Sequence, residues 1–452
     1  MPEYIQEAPN NAEIWLKRWI WLYFWLLIFE GALRKWVVPG LSEPLLIVRD
    51  PVVLIIYFQA FRAGKFAQAR LWPIGFLSLA FILFAMTQIL FGVGDPVIAL
   101  YGLRCYLLHL PLIVIIPETL TAADMRAFGK WLLILAIPMT FLMAVQYYAL
   151  SDAWINKGAG SESAQIGSAM GHVRASGTFS FSTGVASFLP LVGAFVVAEL
   201  TRRHSLPRWL VWGAAIAVVA AIPVSGSRTV LVEMGAIVCC LPFIGLLSVS
   251  QFLRAGKLVI ALVIVLGIAS QLQFVQDATQ TFKHRLHDAS ENEGDAGELL
   301  NSRVMGGVEE GFASVDQVGW LGQGIGMGSN VAAYLVTGFR GGKAVFLLSE
   351  SEWPRVVEEL GPGFGLLFMG IRVLFAAYLF AVAFKALKAD NPLPFLLLPG
   401  VILGVVFGQM EQTSILGFMV FSSGLLLAAA REQPSSEEAR VPASVPLRRR
   451  FA

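Results

Sequence analysis

The chain has 452 residues, of which 56% are hydrophobic and 14% are charged, with a mean hydropathy of +0.69 and a formal net charge of +2. Soluble domains carry roughly 25% charged residues, so this composition excludes an ordinary soluble protein and predicts a polytopic membrane protein. The basic residues are dispersed among short loops, a distribution that does not indicate binding to nucleic acid.

All three cysteines lie within apolar stretches, at Cys105, Cys239 and Cys240. An odd number of cysteines inside a bilayer predicts no disulfide framework, and no spacing of ligand residues in the chain is typical of a zinc site. We therefore expect neither a metal ion nor another cofactor.

Apolar stretches long enough to cross a bilayer recur along the chain and predict an all-α fold with about twelve transmembrane helices. Residues 15–272 are expected to hold helices 1–9, and residues 362–430 are expected to hold helices 10–12. Residues 1–14 and 431–452 are predicted as tails, the second one disordered because it is rich in Pro, Ser and Glu. The predicted spans are 15–38, 45–62, 72–94, 96–117, 128–150, 180–200, 208–225, 229–249, 257–273, 362–384, 392–409 and 413–430.

The orientation follows from the loops that carry Lys and Arg, because cytoplasmic loops are enriched in these residues. Alternate loops are basic and fall on one side if both termini lie there too, which predicts a topology with the N- and C-termini in the cytoplasm. The basic segments contain Arg62, Lys65 and Arg70; Arg126 and Lys130; Arg202, Arg203 and Arg208; Arg254 and Lys257; Lys385 and Lys388; and Arg448, Arg449 and Arg450.

The segment 273–361 is the longest polar interruption, and this topology places it in the periplasm between helices 9 and 10. A recurring apolar face at 296–314 predicts a helix within it, so we expect the loop to be partly helical. The Gly-rich segment 322–328 resembles a phosphate-binding loop, but no βαβ unit surrounds it and a turn is the better interpretation. Residues 350–359 predict a short helix or elbow that leads into the tenth span.

Several ionisable residues lie near the predicted outer ends of the spans, where a charge is costly unless it is paired or faces water. Local pairing is the simpler interpretation for Glu30 with Arg34, and for Arg49 with Asp50. Three other arginines have no acidic residue within a helical turn: Arg104, Arg174 and Arg228. Because the arginine guanidinium matches phosphate oxygens and keeps its charge, these residues favour an anionic ligand such as a lipid-linked pyrophosphate.

Three features occur in order along the chain. Arg174 precedes the segment Gly177-Thr178-Phe179 at a span entrance, Ser225–Arg228 lies at a span junction, and the large outer loop closes on Glu359-Leu360-Gly361. Together they resemble the O-antigen ligase and O-antigen polymerase superfamily over about residues 95–430. One position departs from that pattern, because Glu350 stands where the family usually has a histidine.

The resemblance implies a metal-independent glycosyltransferase of the bacterial inner membrane whose active site faces the periplasm. Its donor would be an oligosaccharide linked to undecaprenyl pyrophosphate, its acceptor a hydroxyl of another glycan, and other polysaccharide assembly proteins could be partners. Arg174 and Arg228 would bind the pyrophosphate, and Glu350 or Glu352 would act as the catalytic carboxylate in place of the histidine. Supporting candidates are Arg104, Arg303 and Arg355.

An exopolysaccharide polymerase is the leading hypothesis, and a ligase that transfers the glycan to a lipid or core acceptor is the alternative within the same family. A transporter or flippase of lipid-linked or anionic solutes is the rival from another class, because twelve spans with both termini inside are common among transporters. A non-catalytic assembly partner is a third alternative, and it gains weight if the acidic segment around Glu350 proves dispensable. The acidic segment could also simply pair with Arg355 and solvate the loop.

Overall fold

The computed structural model describes residues 11–160, 172–201, 206–245, 305–337 and 347–431, together with parts of 256–281. This part of the chain contains no β-strand, which confirms the predicted all-α class. The helices are α1 (Asn11–Ala32), α2 (Arg49–Arg62), α3 (Lys65–Gln68), α4 (Trp72–Leu90), α5 (Pro96–Leu103), α6 (Leu112–Thr119), α7 (Ala122–Tyr148), α8 (Ser182–Thr201), α9 (Arg208–Ser225), α10 (Arg228–Gly245), α11 (Gly307–Ala313), α12 (Asn330–Thr337), α13 (Glu352–Lys388), α14 (Leu393–Phe407) and α15 (Thr413–Arg431).

Nine helices in the described part of the chain are long and apolar enough to cross a membrane. They coincide with nine of the predicted spans, so the protein is a multi-pass membrane protein. These helices are Pro44–Arg62, Trp72–Leu90, Pro96–Thr119, Ala122–Tyr148, Ser182–Thr201, Arg208–Ser225, Arg228–Gly245, Glu352–Lys388 and Thr413–Arg431.

The other three predicted spans have different outcomes. The first is helical as α1, but this helix already begins at Asn11, and it is not among the nine; it carries the charged residues Glu13, Lys17, Arg18 and Glu30. The eleventh is α14, which is apolar but has only 15 residues. Most of the predicted span 257–273 lies outside the described residues.

The core lies around α15, which is buried along most of its length and packs against α6, α8 and α14. Aromatic side chains join it to α1 and α7, where the rings of Trp21 and Phe128 stack with centroids 3.8 Å apart and Phe421 packs edge-on against Phe128. By contrast α4 buries only Phe81, Ala85 and Gln88, so it lies at the periphery of the bundle.

Ion pairs connect helix ends that the predicted alternation places on one side of the bundle. Lys17 contacts Asp124 at 2.6 Å, Lys65 contacts Glu13 at 2.7 Å, and Arg431 contacts Glu118 at 2.7 Å. We call this the basic end, because it carries the Lys- and Arg-containing loops. The opposite end holds the buried charges described below, and we call it the cluster end.

α13 bends sharply where the predicted elbow meets the predicted tenth span. Gly361 has φ +72°, a conformation that disfavours residues with a Cβ, and the next residue is Pro362. A Cβ at Gly361 would also run into the carbonyl oxygen of Trp320. The elbow therefore exists as the helical segment 352–360, and it holds its side chains against the end of the bundle.

The predicted outer loop 273–361 is partly helical where it is described. α11 confirms the second half of the predicted helix 296–314, and α12 follows the Gly-rich segment. Residues 296–304, the tail 432–452 and the first ten residues lie outside the described part of the chain.

Candidate functional site

The first turns of α13 form one wall of a buried group of charged side chains. Ser351 precedes the helix with an extended backbone, and Glu352 in the first turn complements the positive N-terminal end of the helix dipole. The spacing of Glu352, Arg355 and Glu359 places all three on one helical face. They are buried, with relative exposures of 3%, 3% and 0%. With Tyr106, Arg372 and Glu411 they make up what we call the carboxylate cluster.

Glu352 is held by two arginines. Its Oε2 accepts a hydrogen bond from Nε of Arg355 at 3.2 Å and a second from Nη2, and its Oε1 pairs with Nη1 of Arg372. The remaining donors of Arg372 bond the carbonyl oxygens of Val405 at 2.6 Å and Gly408 at 2.7 Å. A carboxylate fixed in this way positions the elbow against the loop after α14.

Glu359 accepts four hydrogen bonds in the centre of the cluster. Tyr106 donates its hydroxyl at 2.8 Å and Arg355 donates Nη1 at 2.8 Å. The main-chain N–H groups of Gly326 and Gly328 donate at 3.1 and 2.9 Å. The Gly-rich segment therefore forms a turn, as the sequence predicts, but this turn surrounds an anion that belongs to the chain itself.

Close backbone contact explains why glycines occupy this turn. Gly326 has φ +87°, and a Cβ there would lie 2.5 Å from the carbonyl oxygen of Ile98. Gly102 of α5 faces the same loop, where a Cβ would lie 2.6 Å from the nitrogen of Gly326. Gln88 of α4 also fixes the loop, since it donates to the carbonyl oxygen of Glu359 at 2.8 Å and accepts from the N–H of Ile325 at 2.9 Å.

Glu411 is the third carboxyl group of the cluster, and it lies in the loop between α14 and α15. Its Oε1 is 2.7 Å from Nη1 of Arg355, although this contact lacks hydrogen-bond geometry. Burial raises the pKa of Glu411 well above its usual range; Arg355 opposes that rise and the nearby Glu359 adds to it. The raised pKa favours the protonated form of Glu411, which is the form that donates a hydrogen bond to the Glu359 carboxylate.

A second group of charges adjoins the first, and we call it the arginine–histidine network. It consists of Glu30, Arg34, Arg49, Asp50, Arg104 and His109, together with Tyr23. The π-helix Arg104–Leu108 connects the two groups, because Arg104 turns toward Asp50 while Tyr106 turns toward Glu359. Helices of this type occur frequently at functional sites.

Arg104 forms a two-pronged ion pair with Asp50, with Nε–Oδ2 and Nη2–Oδ1 distances of 2.7 Å each. Nε2 of His109 lies 3.1 Å from the same carboxylate, and Nδ1 of His109 lies 3.0 Å from the hydroxyl of Tyr23. Asp50 precedes Arg104 by 54 residues. Arg104 therefore has an acidic partner after all, but one that is far away in the sequence. As a supporting candidate for the site, Arg104 is already engaged in a buried ion pair.

The predicted local pairs divide into one that is confirmed and one that is wrong. Glu30 and Arg34 approach to 3.7 Å, as expected. Arg49 does not pair with Asp50; its Nε donates to Glu30 at 2.8 Å, and its Nη2 donates to the carbonyl oxygen of Thr413. Neighbouring residues in a helix point to different sides, so Arg49 and Asp50 bind partners on different helices.

The segment that carries Arg174 lies against the end of α1. Lys35 donates to the hydroxyl of Ser176 at 2.9 Å and to the carbonyl oxygen of Gly177 at 2.8 Å, while Arg34 donates to Ser180 at 3.0 Å. Arg174 is half-buried only two residues before Ser176. This part of the chain therefore brings Arg34, Lys35 and Arg174 to the cluster end.

Arg228 is half-buried and begins α10, directly after the turn at Gly226, which ends α9 with φ +58°.

Glu350 is exposed, and its carbonyl oxygen accepts a hydrogen bond from Gln409. Gln412 bonds Gln409 and also accepts from Thr183 at 3.0 Å, so hydrogen bonds link the start of α8 to Glu350. Arg303 lies outside the described residues.

The structure thus brings Glu352, Arg355 and Arg104 into one continuous polar region, with Glu350 at its edge. Sequence reasoning did not select Glu359, Glu411 or Tyr106 as site residues. A signal was available for Glu359 and Glu411, since ionisable residues in or next to apolar helices are expected to have buried partners. In the part of the chain that is described, no group of His, Cys, Asp and Glu side chains is arranged to hold a metal ion.

No family model matches this chain, and no curated protein matches it. The arrangement itself supports two kinds of chemistry. The paired carboxylates and arginines fix the geometry of the cluster end, and a carboxyl group whose pKa is raised, such as that of Glu411, can donate a hydrogen bond as a neutral acid. Arg228 begins α10 and Arg174 lies eight residues before α8; both are half-buried, and an arginine guanidinium matches the oxygens of an anionic ligand.

Proposed function

We propose that the protein is a polysaccharide polymerase of the bacterial inner membrane. It would transfer glycan repeat units from undecaprenyl pyrophosphate to a hydroxyl of a glycan acceptor at the periplasmic face. The observation that carries this proposal is the concentration of buried ion pairs at one end of the bundle, next to the exposed Glu350, which lies two residues before Glu352. A transport pathway would instead need such groups toward both faces.

We propose twelve spans with both termini in the cytoplasm, so that the cluster end faces the periplasm. The twelve spans of this arrangement are the nine long apolar helices together with α1, α14 and residues 257–273. The basic loops at the opposite end agree with this orientation, because cytoplasmic loops are enriched in Lys and Arg.

In the proposed reaction the acceptor hydroxyl attacks the anomeric carbon of the donor glycan. The carbon–oxygen bond to the pyrophosphate breaks, undecaprenyl pyrophosphate leaves with the bonding electrons, and the hydroxyl proton passes to a carboxylate. Glu350 suits this last role because its side chain is exposed, whereas both oxygens of Glu352 are bound by arginines. Glu352 then acts as a positioning residue, and Arg174 and Arg228 stabilise the charge that develops on the leaving pyrophosphate.

Purified protein in nanodiscs, supplied with an undecaprenyl-pyrophosphate oligosaccharide, tests the proposal. We expect released undecaprenyl pyrophosphate together with glycans longer than the donor unit. Transfer of the glycan to a lipid A-core acceptor, without elongation, would show that the protein is a ligase and not a polymerase. Movement of intact donor between leaflets, without release of undecaprenyl pyrophosphate, would contradict the transferase and favour a flippase.

A further inference from the structure

A large apolar groove lies on the side of the bundle between α4, α6, α13 and α15. Its volume is about 1240 Å³, and its walls include Phe76, Ile113, Leu367 and Phe375. Pockets for small molecules measure roughly 300–1,000 Å³, so this groove is larger than such a ligand needs. It follows α13 from Phe364, near the cluster end, to Ala389 at the basic end.

The mouth of the groove at the basic end is positively charged. Arg70, Lys385 and Arg431 line it, against the single acidic residue Glu118. Arg431 pairs with Glu118 at 2.7 Å, whereas Arg70 and Lys385 are exposed. Arg70 also has φ +43°, an uncommon conformation for a residue with a side chain and one that recurs at ligand-binding sites.

The other end of the groove offers no comparable charge. Arg372 lies there, but Nε bonds Val405, Nη2 bonds Gly408 and Nη1 pairs with Glu352. Since all three nitrogens are engaged, this guanidinium is not available to an outside phosphate. A lipid in the groove would therefore place an anionic headgroup at the basic end and its hydrocarbon chains toward Phe364.

Trp72 indicates the level of the membrane surface at the mouth. It lines the groove two residues after Arg70, and 67% of its surface is exposed. Tryptophan is enriched at the boundary between hydrocarbon and headgroups, while basic residues just outside this boundary attract anionic lipids. The cations thus lie at headgroup depth and the apolar walls lie at hydrocarbon depth.

We propose that this groove is a binding site for an anionic phospholipid, whose phosphate lies between Arg70 and Lys385. The apolar side chains along α13 bind the acyl chains, and the pair between Arg431 and Glu118 closes one side of the mouth. Zwitterionic phospholipid binds less tightly, because its positive group meets the same cations. The site is separate from the proposed glycan transfer and does not depend on it.

Native mass spectrometry of the detergent-purified protein tests the site directly, with phosphatidylglycerol and phosphatidylcholine of identical acyl chains as probes. We expect wild type to retain phosphatidylglycerol selectively. Removal of one basic side chain near a membrane surface weakens anionic-lipid binding about fivefold, so Arg70→Gln and Lys385→Gln should each lose that much selectivity. Arg126→Gln and Lys130→Gln are matched controls, because both residues are exposed at the basic end and lie outside the groove.

A second variant tests the apolar part without altering charge. Leu367→Trp adds bulk in the groove at an exposed position and should lower the binding of both phospholipids. Equal binding of the two lipids to wild type, or equal losses in the control and mouth variants, would overturn the proposal. Displacement of phosphatidylglycerol by undecaprenyl phosphate at equal concentration would also overturn it and assign the groove to a polyprenyl chain.

Discussion

The main-chain N–H of Gly328 donates to Oε1 of Glu359 across 2.9 Å, and Gly326 donates to the other carboxylate oxygen at 3.1 Å. The Gly-rich turn of residues 322–328 thus binds a carboxylate of α13 at the point where this helix bends. Since Arg355 and Tyr106 bind the same carboxylate, Glu359 fastens the loop, the elbow and the π-helix together. Its loss should loosen the whole cluster end.

Replacement of Glu359 by Gln should therefore lower the free energy of unfolding by about 3 kcal/mol or more, the cost typical of breaking a buried ion pair. The neutral amide no longer offsets the buried positive charge of Arg355. Its NH2 group would also face the donors that now bind the carboxylate, such as the hydroxyl of Tyr106 and the N–H of Gly326. Thermal unfolding in detergent measures the change. Glu350→Gln is the matched control, because this exposed side chain should leave the melting temperature unchanged. Equal melting temperatures of the two variants would contradict the role given to Glu359.

Gly326→Ala should destabilise the same loop from the backbone side. The new Cβ would lie 2.5 Å from the carbonyl oxygen of Ile98, on a residue whose φ of +87° disfavours a side chain. Strain of this kind costs of order 1–3 kcal/mol, and the clash adds to it. Gly319→Ala in the same loop has open space around its Cβ and should be close to neutral. Thermal unfolding of the two variants distinguishes the outcomes, and similar losses in both would argue against close packing at Gly326.

The raised pKa of Glu411 predicts that the stability of the folded protein falls as the pH rises. In the unfolded chain this carboxyl group ionises near pH 4.3, whereas burial raises its pKa well above that in the folded protein. The folded state therefore binds more protons between the two pKa values, and its stability falls as the pH rises through this interval. Glu411→Gln removes the contribution, so the melting temperature of the variant should gain on that of wild type as the pH rises above the pKa of the unfolded chain. Parallel curves over that range would show that Glu411 ionises normally.

The pair between Asp50 and Arg104 should show strong coupling. A double-mutant cycle with Asp50→Asn and Arg104→Gln should give an interaction energy of about 1–3 kcal/mol, because the pair is two-pronged and mostly buried. The pair between Lys17 and Asp124 is more exposed and should give about 1 kcal/mol or less. Coupling in the first cycle no larger than in the second would contradict the buried network.

Most of the helical fold could be predicted from the sequence, because a span needs only a long apolar stretch and a polar boundary. The bend at Gly361 could also be anticipated, since Gly-Pro interrupts the apolar pattern there. The predicted start of α1 is too late because its first turn, with Asn11 and Glu13, is polar and lies outside the apolar run, although Glu13 pairs with Lys65.

The partners within the site could not be predicted in the same way. Asp50 pairs with Arg104 across 54 residues, and Tyr106 binds Glu359 across 253 residues. Such contacts depend on how helices pack, which the local pattern does not specify. The sequence therefore indicated which charges need partners, but it assigned Arg49 to Asp50 wrongly and left Glu411 unnoticed.

The most direct test of the central claim is glycan transfer by wild type and by two well-folded variants, Arg228→Ala and Glu350→Gln. The protein in nanodiscs is given an undecaprenyl-pyrophosphate oligosaccharide, and released undecaprenyl pyrophosphate and glycan length are followed together. We expect wild type to release the lipid and lengthen the glycan. Glu350→Gln should lose about 100-fold or more in rate, the contribution typical of a general base. Arg228→Ala should lose about 100-fold or more because it removes stabilisation of the leaving pyrophosphate. Undiminished transfer by Glu350→Gln would contradict the catalytic assignment, and absence of transfer by wild type would contradict the polymerase itself.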